Sequence, residues 1–245
     1  MSKRQDMRTR RQREQSRNRW VILFVTLGAL ALILIFIVPA LKPVPAASAD
    51  NIVPITPVAH AVPAKKTSLG NPDAPVKMDV WEDFQCSGCL SYSTKLEPQV
   101  LKAYVETGKV YYTFHFYPFI DGDQGESHDS ANAAMCAAAQ ERFWDYHAII
   151  FANWKGENVG SFTKPRLVAF AQSIGLDMPA FNQCFQANSY AAEIQKDVDA
   201  GTKLGVPPTP GIFVNGQPVA SSAGKNYLPS FDDIAHSIDA ASKGN

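Results

Sequence analysis

The stretch that decides the fold is residues 76–90, VKMDVWEDFQCSGCL. Residues 76–82 alternate between apolar and polar side chains and predict a strand, and the apolar spacing that follows the cysteines predicts a helix. This places a Cys-x-x-Cys pair at a helix N-terminus, where unpaired N–H groups and the helix dipole stabilise a thiolate. We expect Cys86 to be a reactive sulfur with a depressed pKa and Cys89, one turn deeper, to resolve a mixed disulfide.

An isolated Cys-x-x-Cys pair also suits a zinc half-site, a haem attachment site or an inert structural disulfide. Haem attachment is excluded because Leu90, and not a histidine, follows the pair. Zinc would need two further ligands, whereas Cys136 and Cys184 stand alone in the sequence. An inert disulfide therefore stays open beside redox chemistry.

The sequence around this pair predicts a single α/β domain. A helix follows the cysteines as far as Gly108, and the aromatic run 110–117 predicts a second strand. The Ala-rich middle of the chain predicts several helices, and Asn215-Gly216 predicts the turn of a hairpin between 211–214 and 217–220. A final helix comes next, so the order predicts an α/β sheet with a helical insertion at about 121–205.

The chain of 245 residues has a net charge of zero, which argues against the basic field that nucleic-acid binding needs. Residues 1–19 nevertheless hold eight of the 23 Lys and Arg residues, and residues 20–41 carry no charge over a length that crosses a bilayer. These features predict a cytoplasmic basic arm (1–19), a transmembrane anchor (20–41) and an extracytoplasmic remainder. The alternative is a signal peptide cleaved after Ala49, but the apolar run is longer than such peptides have.

The segment 42–67 has five prolines and no Phe, Tyr or Trp, so it predicts an extended tether without a core of its own. His60, within this segment, is expected to be solvated. The folded domain is then predicted at 68–245, with its helical insertion.

Other polar residues receive less specific interpretations. Glu82 and Asp83 either tune proton transfer at the neighbouring cysteine or are solvated acids. His115 lies in an aromatic strand and is interpreted as a packed or edge histidine, not as a catalytic base. His147 lies on a predicted helix and receives no catalytic role.

Four motifs together resemble the DsbA-like thiol:disulfide oxidoreductases, a thioredoxin-fold family, in their membrane-anchored bacterial type. The resemblance spans about residues 68–242. It rests on the run 83–86 with the second cysteine at 89, on 104–110 (YVETGKV), on 143–147 (FWDYH) and on Thr209-Pro210 before the hairpin.

The resemblance implies a thioredoxin fold and a cis peptide between Thr209 and Pro210 that faces Cys86 and binds substrate backbone. The dipeptide between the cysteines, Ser87-Gly88, departs from the family pattern, in which Pro usually follows the first cysteine. Pro208 and Gly211, on either side of Thr209-Pro210, depart as well. These departures bear on redox potential and substrate range.

The expected function is the oxidation of thiols in reduced substrate proteins outside the cytoplasm, without metal or cofactor. A quinone-linked membrane protein, DsbB-like or VKOR-like, is the expected reoxidising partner, and the chain is expected to be a monomer. Cys136 and Cys184 favour a structural disulfide in an oxidising compartment, with buried free thiols as the alternative. Two competing functions stay open: a reductase or isomerase, for example in cytochrome maturation, and a peptide-binding module without redox activity.

Overall fold

The computed structural model describes residues 28, 52–58, 60–122, 125–225 and 227–243. The chain divides into two compact units, Met1–Pro45 and Ala46–Asn245, and the fold below is that of the second. The predicted arm (1–19) and the predicted span (20–41) lie outside the described residues, apart from Gly28. Within the described part of the chain, no helix combines the length and apolar composition that crossing a bilayer requires.

A mixed sheet lies at the centre of the described domain. Its strands are β1 (Ala64–Lys65), β2 (Ser68–Leu69), β3 (Val76–Glu82), β4 (Val110–Phe116), β5 (Gly211–Val214) and β6 (Gln217–Pro218). Their order across the sheet is β1-β2-β4-β3-β5-β6. The central strands β3 and β4 run parallel, whereas β5 runs antiparallel to β3. The end of β3 and the start of β5 therefore meet at one edge of the sheet.

Helix α1 connects β3 to β4. It begins as Ser87–Ser91 and continues through π-helical Tyr92–Leu96, α-helical Glu97–Val100 and π-helical Leu101–Val105. The π-helical turns flank Pro98, which has no N–H to donate to the regular ladder.

Five described helices lie between β4 and β5, and one follows the sheet. They are α2 (Glu126–Ala138), α3 (Phe143–Ala152), α4 (Lys164–Ser173), α5 (Met178–Gln186) and α6 (Ala191–Leu204), followed by α7 (Phe231–Lys243). The predicted α/β fold with a helical insertion is confirmed.

Aromatic packing holds the insertion against the sheet. The ring of Phe114 on β4 lies 5.2 Å from that of Phe143 on α3 and 5.5 Å from that of Phe84. Because Phe84 stands two residues before the first cysteine, these contacts fix the loop from which α1 begins.

The described part of the predicted tether packs against α3. The prediction of an extended tether without contacts to the core was therefore wrong for these residues. Ile52 and Ile55 contact the hydrophobic core. The side-chain amide of Asn153 donates to the carbonyl of Val53 at 2.9 Å, and its oxygen accepts the N–H of Val53 at 2.8 Å. The folded part of the chain therefore begins before Ser68. We call residues 52–58 and 60–63 the strap.

His60, expected to be solvated, is half-buried in this strap. Its ring lies edge-on to Trp144 at a centroid distance of 5.5 Å. Burial lowers the pKa of His60, although the carboxylates of Asp145 and Glu106 act in the opposite direction. The prediction was wrong because the β-branched residues between the prolines supply apolar surface that composition alone did not reveal.

His115 ties helix α6 to the sheet. Its imidazole lies between Asp79, at 3.0 Å from Nε2, and Asp197, at 3.2 Å from Nδ1, and it stacks on Trp81 at 4.3 Å. Burial lowers the pKa of His115, but the two carboxylates outweigh it and raise the pKa to about 9. His115 is therefore a packed, charged link between two elements.

Candidate active site

The two cysteines lie where β3 gives way to α1. Cys86 is the N-cap residue of the helix and has extended backbone angles, and Cys89 lies within the first turn. Both thiols are free, and they differ in exposure, with Cys86 8% exposed and Cys89 fully buried. Only the first sulfur is therefore open to a substrate.

The loop before β5 faces the first cysteine. The Thr209–Pro210 peptide is cis, and the Cys86 thiol donates a hydrogen bond to the carbonyl oxygen of Thr209 at 3.2 Å. Gly211 pairs with Trp81 in the sheet, so the loop before it is held beside the residues that follow β3. The structure thus brings together residues that are about 120 positions apart in the sequence.

Two glycines that depart from the family pattern lie at close approaches. A Cβ atom on Gly88 would lie 3.1 Å from the carbonyl oxygen of Thr209 and 3.2 Å from Cδ of Pro210. A Cβ atom on Gly211 would lie 2.5 Å from a methyl carbon of Val206. Gly88 therefore allows the cis-proline loop to pack closely on the cysteine pair, and Gly211 allows Val206 to pack against the start of β5. The neighbouring Ser87 is exposed.

The surroundings of the two sulfurs lower the pKa of Cys86 and raise that of Cys89. Hydrogen bonding from the Cys89 thiol lowers the pKa of Cys86 to about 6, against the opposing effect of burial. The Thr209 hydroxyl, which has no other hydrogen-bond partner in the described structure, and the N–H groups of Cys89 and Gly88 lower it further. Burial above all raises the pKa of Cys89 well above its usual range. The reduced pair is therefore a thiolate at Cys86 and a thiol at Cys89.

The two acids before the pair have different surroundings. Asp83 accepts hydrogen bonds from the N–H groups of Phe119 and Ile120 and from the hydroxyl of Ser127, each at 2.9 Å. It thereby fixes the loop that leads into the helical insertion, although burial raises its pKa. Glu82 has no such partners, is 1% exposed and interacts with the Cys89 thiol. Of the two acids left open by the sequence, Glu82 is the one beside the buried sulfur.

Glu82 belongs to a buried cluster that the sequence analysis missed. Its carboxyl group, that of Glu97 and the imidazole of His147 have polar atoms within 4.8 Å of one another, a spacing at which side chains share a proton or a metal ion. Both oxygens of Glu97 already accept hydrogen bonds, from Tyr112 at 2.9 Å and from Ser93 at 3.4 Å. These hydrogen bonds fit a proton-sharing cluster better than a coordination sphere.

A groove of about 660 Å³ begins at the cysteine pair and follows the cis-proline loop. Its walls are mostly apolar and include Pro208, Ile212, Val219, Tyr227 and Leu228, with Gly88 at one end. Tyr227 is largely exposed. The segment after β6 was not predicted to contribute to the site, and its apolar residues before α7 were the available signal.

The other two cysteines lie in the insertion. Cys136 on α2 and Cys184 on α5 form a disulfide with a Cα–Cα distance of 5.9 Å. It joins two helices that are 48 residues apart in sequence and leaves Cys86 and Cys89 as the free thiols of the described chain.

Comparisons with known proteins agree with this geometry. A family model described as Thioredoxin matches residues 64–233. The probable disulfide bond formation protein D of Bacillus cereus is 29% identical over 176 residues, which cover 70% of this chain and 76% of that protein. Disulfide bond formation protein D of Bacillus subtilis is 25% identical over 177 residues, 72% of this chain and 77% of that protein.

A solved structure carries the same fold. The crystal structure of oxidised BdbD from Bacillus subtilis matches with a TM-score of 0.64 at 23% identity, covering 80% of this chain and 100% of that chain. The family match, the fold and the cysteine pair agree, and the chain therefore belongs to the thioredoxin family as a DsbA-like thiol:disulfide oxidoreductase.

Proposed function

We propose that this enzyme oxidises pairs of thiols in reduced proteins to disulfides, outside the cytoplasm, through Cys86 and Cys89. The observation that carries the proposal is the contrast between the two sulfurs. Cys86 is stabilised as a thiolate, with a pKa of about 6, whereas Cys89 is fully buried and its pKa is raised. Stabilising the reduced pair in this way makes its disulfide a better oxidant. Relatives named for disulfide bond formation support the same direction.

The reaction proceeds by two exchanges at Cys86. A substrate thiolate attacks the Cys86 sulfur of the disulfide, a substrate–Cys86 bond forms, and Cys89 leaves and takes up a proton. A second substrate thiolate attacks the substrate sulfur of this mixed disulfide, and Cys86 leaves as a thiolate. The substrate loses two electrons and two protons, the enzyme gains two electrons and one proton, and the second proton goes to solvent. The low pKa of Cys86 favours the second step because Cys86 is then the leaving group.

The cis-proline loop and its groove are proposed to bind the substrate chain. Thr209 presents its backbone beside Cys86, where an extended peptide can pair with it as a strand would. The apolar groove that follows suits the exposed hydrophobic side chains of an unfolded protein. Since the groove offers one described cation, Lys225, we expect little selection by substrate charge.

The location is proposed from the sequence. Residues 20–41 are a retained anchor, residues 1–19 are cytoplasmic, and the catalytic domain lies outside. Reoxidation of the pair in that compartment requires an electron acceptor, for which we propose a quinone-linked membrane protein. A membrane-impermeant maleimide should therefore label the reduced enzyme in intact cells at Cys86. Labelling that needs lysed cells would contradict this topology.

The direction of the reaction is tested with the purified full chain. It is equilibrated in glutathione buffers, its free thiols are alkylated and counted, and its oxidation of a reduced peptide with two cysteines is followed. We expect a potential above that of the glutathione pool and oxidation that is lost in Cys86→Ser. A Cys136→Ala/Cys184→Ala variant should keep this activity and assigns the counted thiols to the first pair.

The competing functions give different results in the same assay. A potential near that of thioredoxin would favour a reductase, and an isomerase would rearrange mispaired disulfides faster than it oxidises thiols. If Cys86→Ser retained full activity in cells, a peptide-binding module with an inert disulfide would be the correct interpretation.

A further inference from the structure

A loop at residues 155–160 lies against the start of α1, outside the groove. Its exposed residue Glu157 accepts a hydrogen bond from the N–H of Ser87 at 3.3 Å. Ser87 is the first residue of α1 and directly follows Cys86. A carboxylate at a helix N-terminus is stabilised by the helix dipole, as is a thiolate there. The loop therefore places a negative charge next to the reacting sulfur.

Gln85, the residue before Cys86, fixes this loop on both sides of Glu157. Gln85 is fully buried, and its side-chain oxygen accepts the N–H of Asn158 at 2.7 Å. The indole N–H of Trp154 donates to the carbonyl oxygen of Gln85 at 2.8 Å. Asn158 has a φ of 54°, in the left-handed region, so the chain turns sharply directly after Glu157. One contact before Glu157 and one after it therefore hold the backbone of the loop beside Cys86.

The charge of Glu157 is not neutralised within the described part of the chain. Among the described residues, no Lys, Arg or His forms an ion pair with Glu157. The described cation of the groove is Lys225, and Glu157 does not line the groove. The bond from Ser87 uses one carboxylate oxygen, and the other has no protein hydrogen-bond partner in the described structure. A substrate residue beside the attacking cysteine therefore meets an exposed, unpaired carboxylate.

We propose that Glu157 is a specificity-determining residue, which favours substrate cysteines flanked by Lys or Arg over those flanked by Asp or Glu. The proposal rests on the proposed function. The substrate sulfur must reach the Cys86 sulfur, so the residues that flank the substrate cysteine pass close to Ser87 and to the carboxylate bound there. This charge attracts a cation in the substrate and repels an anion. The apolar groove then accepts hydrophobic side chains farther along the substrate, while Glu157 selects charge at the cysteine itself.

The test compares two cysteine peptides that differ only in the residues flanking the cysteine, which are Lys in one and Glu in the other. The first exchange is measured in single turnovers of the oxidised full chain. Each rate is expressed per peptide thiolate, since flanking charges alter the pKa of the peptide thiol. We expect the Lys peptide to react about five- to tenfold faster at low salt, from one attractive and one repulsive exposed pair. In about 1 M salt this ratio should fall towards one, because charges are then screened within about 3 Å.

Two variants separate the charge of Glu157 from its hydrogen bond. Glu157→Gln keeps an oxygen that accepts the Ser87 N–H but removes the charge, so the ratio should fall at least about threefold. Glu157→Lys reverses the charge, so the ratio should fall further and the Glu peptide should react faster than with the wild type. The matched controls are Glu141→Gln and Glu141→Lys, at an exposed acid between α2 and α3, at the opposite end of α3 from Trp154. They change the net charge equally and should keep the wild-type ratio.

The inference is overturned if both Glu157 variants give the same ratio as the wild type, or if an active wild type reacts equally with the two peptides at low salt. It is also overturned if the change in ratio persists in high salt, because an effect that salt does not screen reflects an altered loop and not a charge. If the wild type exchanges with neither peptide, the proposed function fails instead. The two failures are therefore distinguishable.

Discussion

Removal of the Cys89 side chain should raise the pKa of Cys86, because hydrogen bonding from Cys89 is the largest cause of its low value. At pH 7, a pKa of about 6 in place of the ordinary 9.0 lowers the free energy of the reduced pair by about 1.4 kcal/mol. For a two-electron couple this corresponds to about 30 mV of added oxidising potential. This is the contribution that the low pKa of Cys86 makes to the potential of the wild-type pair.

The assay is the ultraviolet absorbance of the Cys86 thiolate, followed from pH 4 to pH 10. The wild type should titrate near pH 6. Cys89→Ala should titrate at least about one unit higher, and Cys89→Ser, which keeps a hydroxyl donor, should lie between the two. Equal titration of Cys89→Ala and the wild type would refute the assignment and leave the helix N-terminus and Thr209 as the cause of the shift.

The potential of the wild type gives an independent check on the same sulfur. Below pH 6 both thiols take up protons on reduction, so the potential should fall by about 60 mV per pH unit. Above pH 6 only Cys89 takes one up, and the slope should halve to about 30 mV. A slope that stays at about 60 mV per pH unit from pH 5 to pH 8 would mean that Cys86 is a thiol at neutral pH.

Three further substitutions follow from the geometry. His115→Gln should flatten the pH dependence of stability. Because the pKa of His115 in the folded protein is raised to about 9, the charged link stabilises the fold fully below pH 6.5 and is lost as the pH rises through 9. The free energy of unfolding, measured in urea, should differ by at most about 3 kcal/mol between these limits. Cys136→Ala/Cys184→Ala should lower the free energy of unfolding by about 4 kcal/mol in the chain-entropy description and leave the redox cycle intact. Gly88→Val should slow peptide oxidation more than Gly88→Ala, because its side chain displaces the cis-proline loop.

Two of these have a matched control. His236→Gln, at an exposed histidine on α7, is the control for the replacement of an imidazole by an amide. Gly88→Ala is the matched control for Gly88→Val, because both replace the same residue and differ in the size of the added side chain. Loss of redox activity without the insertion disulfide, or a Gly88→Val enzyme as fast as Gly88→Ala, would contradict the roles assigned to these residues.

The cysteine site was accessible to sequence reasoning because its signals are local. A buried strand, a Cys-x-x-Cys pair and a helical period follow one another within 15 residues, and their order alone places Cys86 at a helix N-terminus. The cis-proline loop could not be placed from local signals in this way. Its position opposite Cys86 depends on the antiparallel pairing of β5 with β3, which no local pattern contains, and it was reached through the family resemblance at Thr209-Pro210.

Glu97, the other acid of the buried cluster, was missed because a glutamate in a helix usually faces solvent. One signal was present: Glu97 lies three residues before Val100 and seven before Tyr104, on the same stripe as these buried residues. An acid on an apolar stripe indicates a buried partner. The partner could not be identified from sequence, since Glu82 and His147 reach the cluster from other elements.

The strap was predicted to be an unpacked linker because its composition shows no apolar core. Its prolines and small residues resemble a linker, and composition alone gave it no core. The backbone of Val53 is bound by a single side chain, Asn153 at the end of α3, so the docking depends on a residue 100 positions away. Contacts of this kind arise only once the insertion has folded.

Glu82 and the cysteine pair interact electrostatically. Burial above all raises the pKa of Glu82, and the charge of a Cys86 thiolate raises it further. A thiolate at Cys86 therefore favours the protonated form of Glu82. The causes that act on Cys86 itself oppose one another: hydrogen bonds from Cys89, Thr209 and the N–H groups of the first helical turn lower its pKa, and burial raises it. This opposition accounts for a pKa of about 6 and not one at the lower end of the range for such thiols.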